Sequence, residues 1–231
     1  MAGELTVEPP EHDKARIKIS SRLTPHSFAD IIFGLALSIG ALFLTQNRVQ
    51  TSQDFAWNVF LFAFSFIVIA ITWLLFSRTA SALPSEVPST LFLTLVLLFC
   101  VSLEPYLFYM LMNNATQNLL SFTSVGYALD VGFMFVILGI LASSVVEQNR
   151  GLEGEYMRFR LDARALPTFR RMMIEEYAVG ALFLVSAVPI FWVPTPIGHL
   201  RFVLWYLSFL LPLISYRYWS LERRKVLKKI A

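Results

Sequence analysis

A single cysteine, Cys100, is all that 231 residues offer to disulfide or thiolate chemistry, so an internal disulfide and a Cys-based metal site are both excluded. It stands inside an apolar run and reads as a small buried residue. Charge is scarce as well. Asp, Glu, Lys and Arg make up 15% of the chain, against about 25% in soluble globular domains, which argues against an ordinary soluble protein. Ten Gly and eleven Pro are too few for a collagenous or low-complexity chain, and 21 Phe are too many for a disordered one. The common signatures of catalysis are missing too: no HxxxH, HExxH or GxSxG pattern and no Gly-rich phosphate loop. The histidines, His12, His26 and His199, are scattered. The expectation is therefore a protein that is not an enzyme and holds no metal or cofactor.

What the chain has in abundance is apolar surface, with 56% hydrophobic residues and a mean hydropathy of +0.61. Runs long enough to cross about 30 Å of hydrocarbon, roughly 20 helical residues each, occur at 27–45, 55–77, 90–112, 119–146, 174–194 and 200–219. Stretches such as 60–75 and 91–101 are apolar on every side, whereas membrane strands alternate over about 10 residues, so the runs read as helices. The fold class expected is all-α, a polytopic membrane protein with six transmembrane helices. It divides into a cytoplasmic segment 1–24, a transmembrane domain 25–219 and a basic tail 220–231. Between the runs lie polar or Pro-rich connections, and 147–171 is the one long charged connection inside the chain. Residues 1–22 are polar and of mixed charge, with no apolar stretch of a signal peptide, so the first span is expected to be retained.

The formal charge of +3 is better read as topology than as a sign of nucleic acid. With an even number of spans both ends share a side, and 17 of the 19 Lys and Arg fall on it; Arg48 and Arg201 are the two opposite. The positive-inside rule then places both termini in the cytoplasm. The basic run 223–229 fits a topology determinant, with attraction to anionic lipid as its functional alternative. Asn114-Ala115-Thr116 matches a glycosylation pattern in a loop too short to admit a glycan readily.

Carboxylates inside membrane helices are costly, about 2.5–3.5 kcal/mol on insertion scales, and each warrants a role. Three stand out: Asp30, Glu104 and Asp130. Asp30 follows Thr24 and Pro25, which suit the cap and first position of a helix, so it sits about a turn and a half in. There it is either bonded to a neighbouring helix or a charge at the mouth of a permeation path. Glu104-Pro105 reads as a snorkelling group or kink near the outer interface, and Asp130 as a residue bonded to another helix. The first span also places Gly34 and Ser38, and Ala36 and Gly40, four apart, a spacing that lets helix backbones approach closely. Leu35, Ile39 and Leu42 form an apolar stripe with Ser38 beside it. Pattern alone does not separate a pore lining from a lipid-facing or core surface.

The first three spans resemble the transmembrane protein 175 family of endosomal and lysosomal potassium channels, in its short bacterial and archaeal branch. Arg22, followed by Phe28-Ala29-Asp30 and the run to Ser38, resembles the Arg and Phe-Ser-Asp signature that opens the family's first helix. Residues 65–73, ending in Trp73, resemble its second helix, and 91–105 its Leu-rich third. The resemblance covers about 22–146, and the remainder through the helix count. It implies a homotetramer in the lipid bilayer of the cell membrane, with potassium or another monovalent cation as its partner and helix one of each subunit lining a central pore. On that mapping Leu35, Ile39 and Leu42 form a hydrophobic constriction, Ser38 a hydroxyl layer, and Arg22, Phe28, Asp30 and Trp73 a network at the pore mouth. Rings of Leu and Ile block a pore by dewetting, and the chain lacks the Thr-Val-Gly-Tyr-Gly type of loop that builds carbonyl filters. Three features depart from the family pattern. Ala29 stands for its Ser, Phe76 for a His that often follows the Trp by three residues, and Arg22 lies six residues before Phe28 instead of four. Arg78 is a candidate replacement partner for Asp30. The function implied is a cation channel, potassium-conducting, with a proton-conducting or otherwise selective channel and a nonconducting membrane interaction protein as alternatives.

Overall fold

A computed structural model describes residues 25–46, 51–83, 87–112, 117–151, 166–188, 200–201, 203–208 and 210. Arg22, the segments 1–24 and 220–231, the Asn114–Thr116 tripeptide and His199 lie outside the described residues. Regular structure among the described residues is entirely helical: α1 Pro25–Gln46, α2 Ser52–Ala80, α3 Pro88–Met112, α4 Gln117–Gly151 and α5 Leu166–Ser186. Further helical residues at 200–201, 203–208 and 210 form a sixth helical stretch.

The helix ends follow from local chemistry. Pro25 and Pro88 occupy first helical positions, where the absent N–H would have no partner in any case. The α2 start is a capping box: the Asp54 backbone N–H donates to Thr51 Oγ1 at 3.1 Å, and the Thr51 N–H donates to Asp54 Oδ2 at 2.9 Å. Arg78 stands in the last turn of α2, where the helix dipole favours a cation.

Two expected boundaries move. The charged connection read over 147–171 carries helix at both of its described ends, since α4 runs to Gly151 and α5 begins at Leu166. Arg171 and Glu175 are one turn apart and ion-paired, so charge that looks like loop in a hydropathy reading covers one side of a helix. The run read over 174–194 is interrupted: α5 stops at Ser186, and Ala187 and Val188 donate to carbonyls three residues back. Pro189 lies just beyond, and a proline excludes the helical hydrogen bond and disfavours helix at the residue before it.

Among the described residues three helical segments are long and apolar enough to cross a membrane, Ser52–Ala80, Pro88–Met112 and Ser121–Glu147, with a shorter apolar segment Ser27–Phe43. The chain is thus compatible with an integral membrane protein. In the most apolar window of α4, 67% of the residues are buried, against 29% for α2, which makes α4 the central helix and α2 a peripheral one. The α4 core residues Tyr127, Val131, Met134 and Leu138 are fully buried. Around Tyr127 an aromatic cluster closes the interior: its ring centroid lies 5.6 Å from Phe108 and 5.2 Å from Trp205, and Trp205 stacks on Phe183 at 5.8 Å. The periphery is apolar as well, with Phe92, Phe99 and Phe122 exposed, a surface suited to hydrocarbon and unsuited to water.

Helix α5 packs tightly on α4 through glycine. A Cβ on Gly180 would lie 3.1 Å from the Gly132 carbonyl oxygen and 3.2 Å from the Val136 nitrogen, so the two backbones approach as closely as side-chain-free positions allow.

Candidate functional site

Helix α1 has two sides. Ala29, Phe33 and Ala36, at i, i+4 and i+7, are buried against the rest of the chain. Phe28, Ile31, Leu35, Ser38 and Leu42 are exposed on the other side. Leu35 and Leu42 are 53% and 55% exposed, which is a great deal for leucines in a chain with a sizeable core. Ile39 is half-buried at the edge of this surface, and Ile31, one turn before Leu35, occupies the middle of it. Ile31 was not among the expected stripe residues, although the 3.6-residue period extended one turn backwards would have reached it.

The two small-residue pairs point different ways. Ala36 is buried, and a Cβ on Gly40 would sit 3.6 Å from the Phe62 ring, so this pair faces α2. Gly34 has open space where a Cβ would stand, and Ser38 donates to the Gly34 carbonyl at 2.8 Å, leaving its lone pairs directed outward.

At the start of α1, Asp30 and Trp73 come together: the Trp73 indole N–H donates to Asp30 Oδ1 at 2.9 Å and ties α1 to α2. Arg78 does not pair with Asp30; it lines a cavity with Glu175 and Glu176. Of the three departures from the family pattern, Ala29 and Phe76 are both buried, and Phe76 stacks on Phe33 with centroids 6.0 Å apart. An apolar contact therefore joins α1 to α2 beside the Asp30–Trp73 bond.

Glu104 corrects the expectation of a snorkelling or kink residue. Its carboxylate is wholly buried and accepts the Ser65 hydroxyl at 3.0 Å on both oxygens and the Tyr127 hydroxyl at 3.2 Å on Oε1. Pro105 lies inside α3, which continues to Met112, so Glu104 stands roughly 12 Å before the helix end and cannot reach the interface from there. Three helices meet at this one carboxylate: α2 through Ser65, α3 through Glu104 and α4 through Tyr127. Asp130, one turn beyond Tyr127, is buried, and its Oδ2 has no hydrogen-bond partner. The expected bond from Asp130 to another helix is not among the hydrogen bonds of the described residues.

Glu176 escaped the sequence reading. It lies within the run 174–194, but beside Glu175 and close to Arg170 and Arg171 it looks like part of a solvated charged end. In the structure Glu175 pairs with Arg171, while Glu176 is 2% exposed and neither of its oxygens has a hydrogen-bond partner. Among the described residues no three His, Cys, Asp or Glu side chains gather as a metal site would require.

Comparison with protein-family models, with curated proteins and with solved structures finds no match for this chain.

Proposed function

We propose that the protein is a cation channel, potassium-conducting and similar to the short transmembrane protein 175 channels, in which α1 helices from four copies surround a central pore. The observation that carries this reading is the outward face of α1, where Ile31, Leu35, Ser38 and Leu42 stand exposed in one stripe above Asp30. Small and hydroxyl-bearing positions favour helix–helix contact inside a bilayer, where apolar surface by itself gives no preference for protein over lipid. Gly34 and Ser38 supply both on this face.

The chemistry follows from the order of residues along the helix. Asp30 at the start of α1 raises the local cation concentration, and its bond to Trp73 holds the carboxylate in place. Rings of Leu35 and Leu42 form an apolar neck that excludes water when closed. Between them Ser38 hydroxyl oxygens replace part of the hydration shell of an ion. Both termini lie in the cytoplasm on this reading, following the Lys and Arg asymmetry.

Flux through the reconstituted protein tests the proposal. Leu35→Ala widens the neck and raises potassium flux by about tenfold, the effect of removing roughly 1.4 kcal/mol of barrier. Absence of flux in both the parent and the Leu35→Ala protein overturns the channel reading in favour of a nonconducting interaction protein. A proton flux that persists without potassium favours the proton-conducting alternative.

A further inference from the structure

Helices α2, α4 and α5 and the stretch after residue 200 enclose a cavity of about 370 Å³, a volume in the range of small-ligand sites. Among the described lining residues none belongs to α1, so its role is separable from the pore. Ile67 and Leu74 line it and are each about half exposed, which opens the cavity onto the outer surface of the helix cluster.

Its chemistry is uneven. Most of the wall is apolar, yet Glu176 is among the lining residues, and its carboxylate is almost fully buried with no hydrogen-bond partner. An unsatisfied buried carboxylate is costly, which makes it a strong acceptor for any donor that enters. Glu175 lines the same space but is engaged by Arg171. Arg78 supplies the cation.

Position along the helices decides what such a cavity accepts. Ile67, Ile71, Leu74 and Arg78 recur at i, i+4, i+7 and i+11 and make one stripe on α2. From Arg78 to Ile67 this stripe extends about 16 Å, close to the thickness of one leaflet's hydrocarbon. Its charged end lies level with the start of α5, where Arg170 and Arg171 precede Glu176 by less than two turns. A guanidinium, a buried acceptor and an apolar track of one-leaflet length are the three complements of a single molecule bearing a phosphate, an ammonium two carbons away and an acyl chain.

We infer that this cavity is a binding site for a zwitterionic aminophospholipid of the phosphatidylethanolamine class, with its ammonium donating to Glu176, its phosphate on Arg78 and an acyl chain along Ile71 and Leu74. The selectivity is chemical. An ethanolamine ammonium has three N–H donors for the orphaned carboxylate, a choline headgroup has none, and a glycerol headgroup leaves the carboxylate without a cation.

Native mass spectrometry of the full-length detergent-solubilised protein, titrated separately with phosphatidylethanolamine, phosphatidylcholine and phosphatidylglycerol of matched acyl chains, tests the site. The expected result is retention of the ethanolamine lipid about tenfold above the choline lipid, the size of one charge-assisted hydrogen bond. Glu176→Gln brings the ethanolamine lipid down to the choline level while the melting temperature stays within a few degrees. Ile71→Trp fills the track without touching the carboxylate and lowers retention of the ethanolamine lipid, which covers the case in which Glu176→Gln does not fold. Equal retention of all three lipids, preference for the glycerol lipid, or an ethanolamine preference that survives both substitutions overturns the proposal. Potassium flux measured in parallel separates this outcome from the fate of the channel reading.

Discussion

The outward face of α1 and the seam between α4 and α5 both depend on small residues, and the two use them differently. At the seam, glycine is spent inside the chain: Gly180 lies against the Gly132 carbonyl and the Val136 backbone, with no room for a methyl group. On α1, Gly34 has nothing near it and its neighbours Leu35 and Ser38 face outward. A small residue in a membrane helix therefore marks a place where something comes close, and only the fold tells whether that is another part of the same chain or a separate molecule. The same contrast holds for carboxylates. Glu104 is enclosed by Ser65 and Tyr127, whereas Asp30 is exposed and held by one bond from Trp73.

The largest effect should come from the enclosed side. Glu104→Ala removes the common acceptor of Ser65 and Tyr127 and leaves a gap between α2, α3 and α4, costing about 2–4 kcal/mol in thermal unfolding of the solubilised protein. Glu104→Gln keeps an acceptor and should recover most of that. A melting temperature unmoved by Glu104→Ala would show that the three helices do not depend on this junction.

A smaller loss belongs to the seam. Gly180→Ala brings a methyl group within 3.1–3.2 Å of backbone atoms that cannot rotate away, so α4 and α5 must separate by a few tenths of an ångström. Overpacking of this kind costs about 1–3 kcal/mol. Smallest of all is Gly34→Ala, which meets no atom of its own chain and should change the stability of the single chain by no more than about 0.5 kcal/mol. On the proposed tetrameric channel its consequence appears in the assembly instead: a methyl group on a helix–helix surface lowers the tetramer fraction seen by mass measurement. If Gly34→Ala changes neither stability nor assembly, the outward face of α1 contacts lipid, and the contrast with the seam disappears.

Much of the helical layout was legible without coordinates. The runs at 27–45 and 90–112 fall within two residues of the ends of α1 and α3, because twenty apolar residues between Pro, Thr and Asn leave a helix little freedom about where to begin and stop. The start of α5 was not legible, since hydropathy scores Arg170 and Arg171 as the end of a charged connection while the i,i+4 pairing of Arg171 with Glu175 lets a helix carry them. Of the expected pore-mouth network, Asp30 and Trp73 are joined, although 43 residues separate them in sequence. Ser65 and Tyr127 could not have been singled out, because nothing in their local sequence distinguishes them from other hydroxyl groups in apolar helices.

Composition and spacing determined by themselves that the chain is helical and suited to a membrane, where α1 and α3 begin, and which polar residues lie within apolar runs. These are local properties, set by transfer of apolar groups from water and by the need of each backbone to satisfy its own hydrogen bonds. Which carboxylate is enclosed, which is held by a single bond and which is left facing a cavity was decided by tertiary packing. A helix of uniform hydrophobicity has no preferred side in its own sequence, and its orientation is chosen by the shapes and hydrogen-bonding groups of the helices around it.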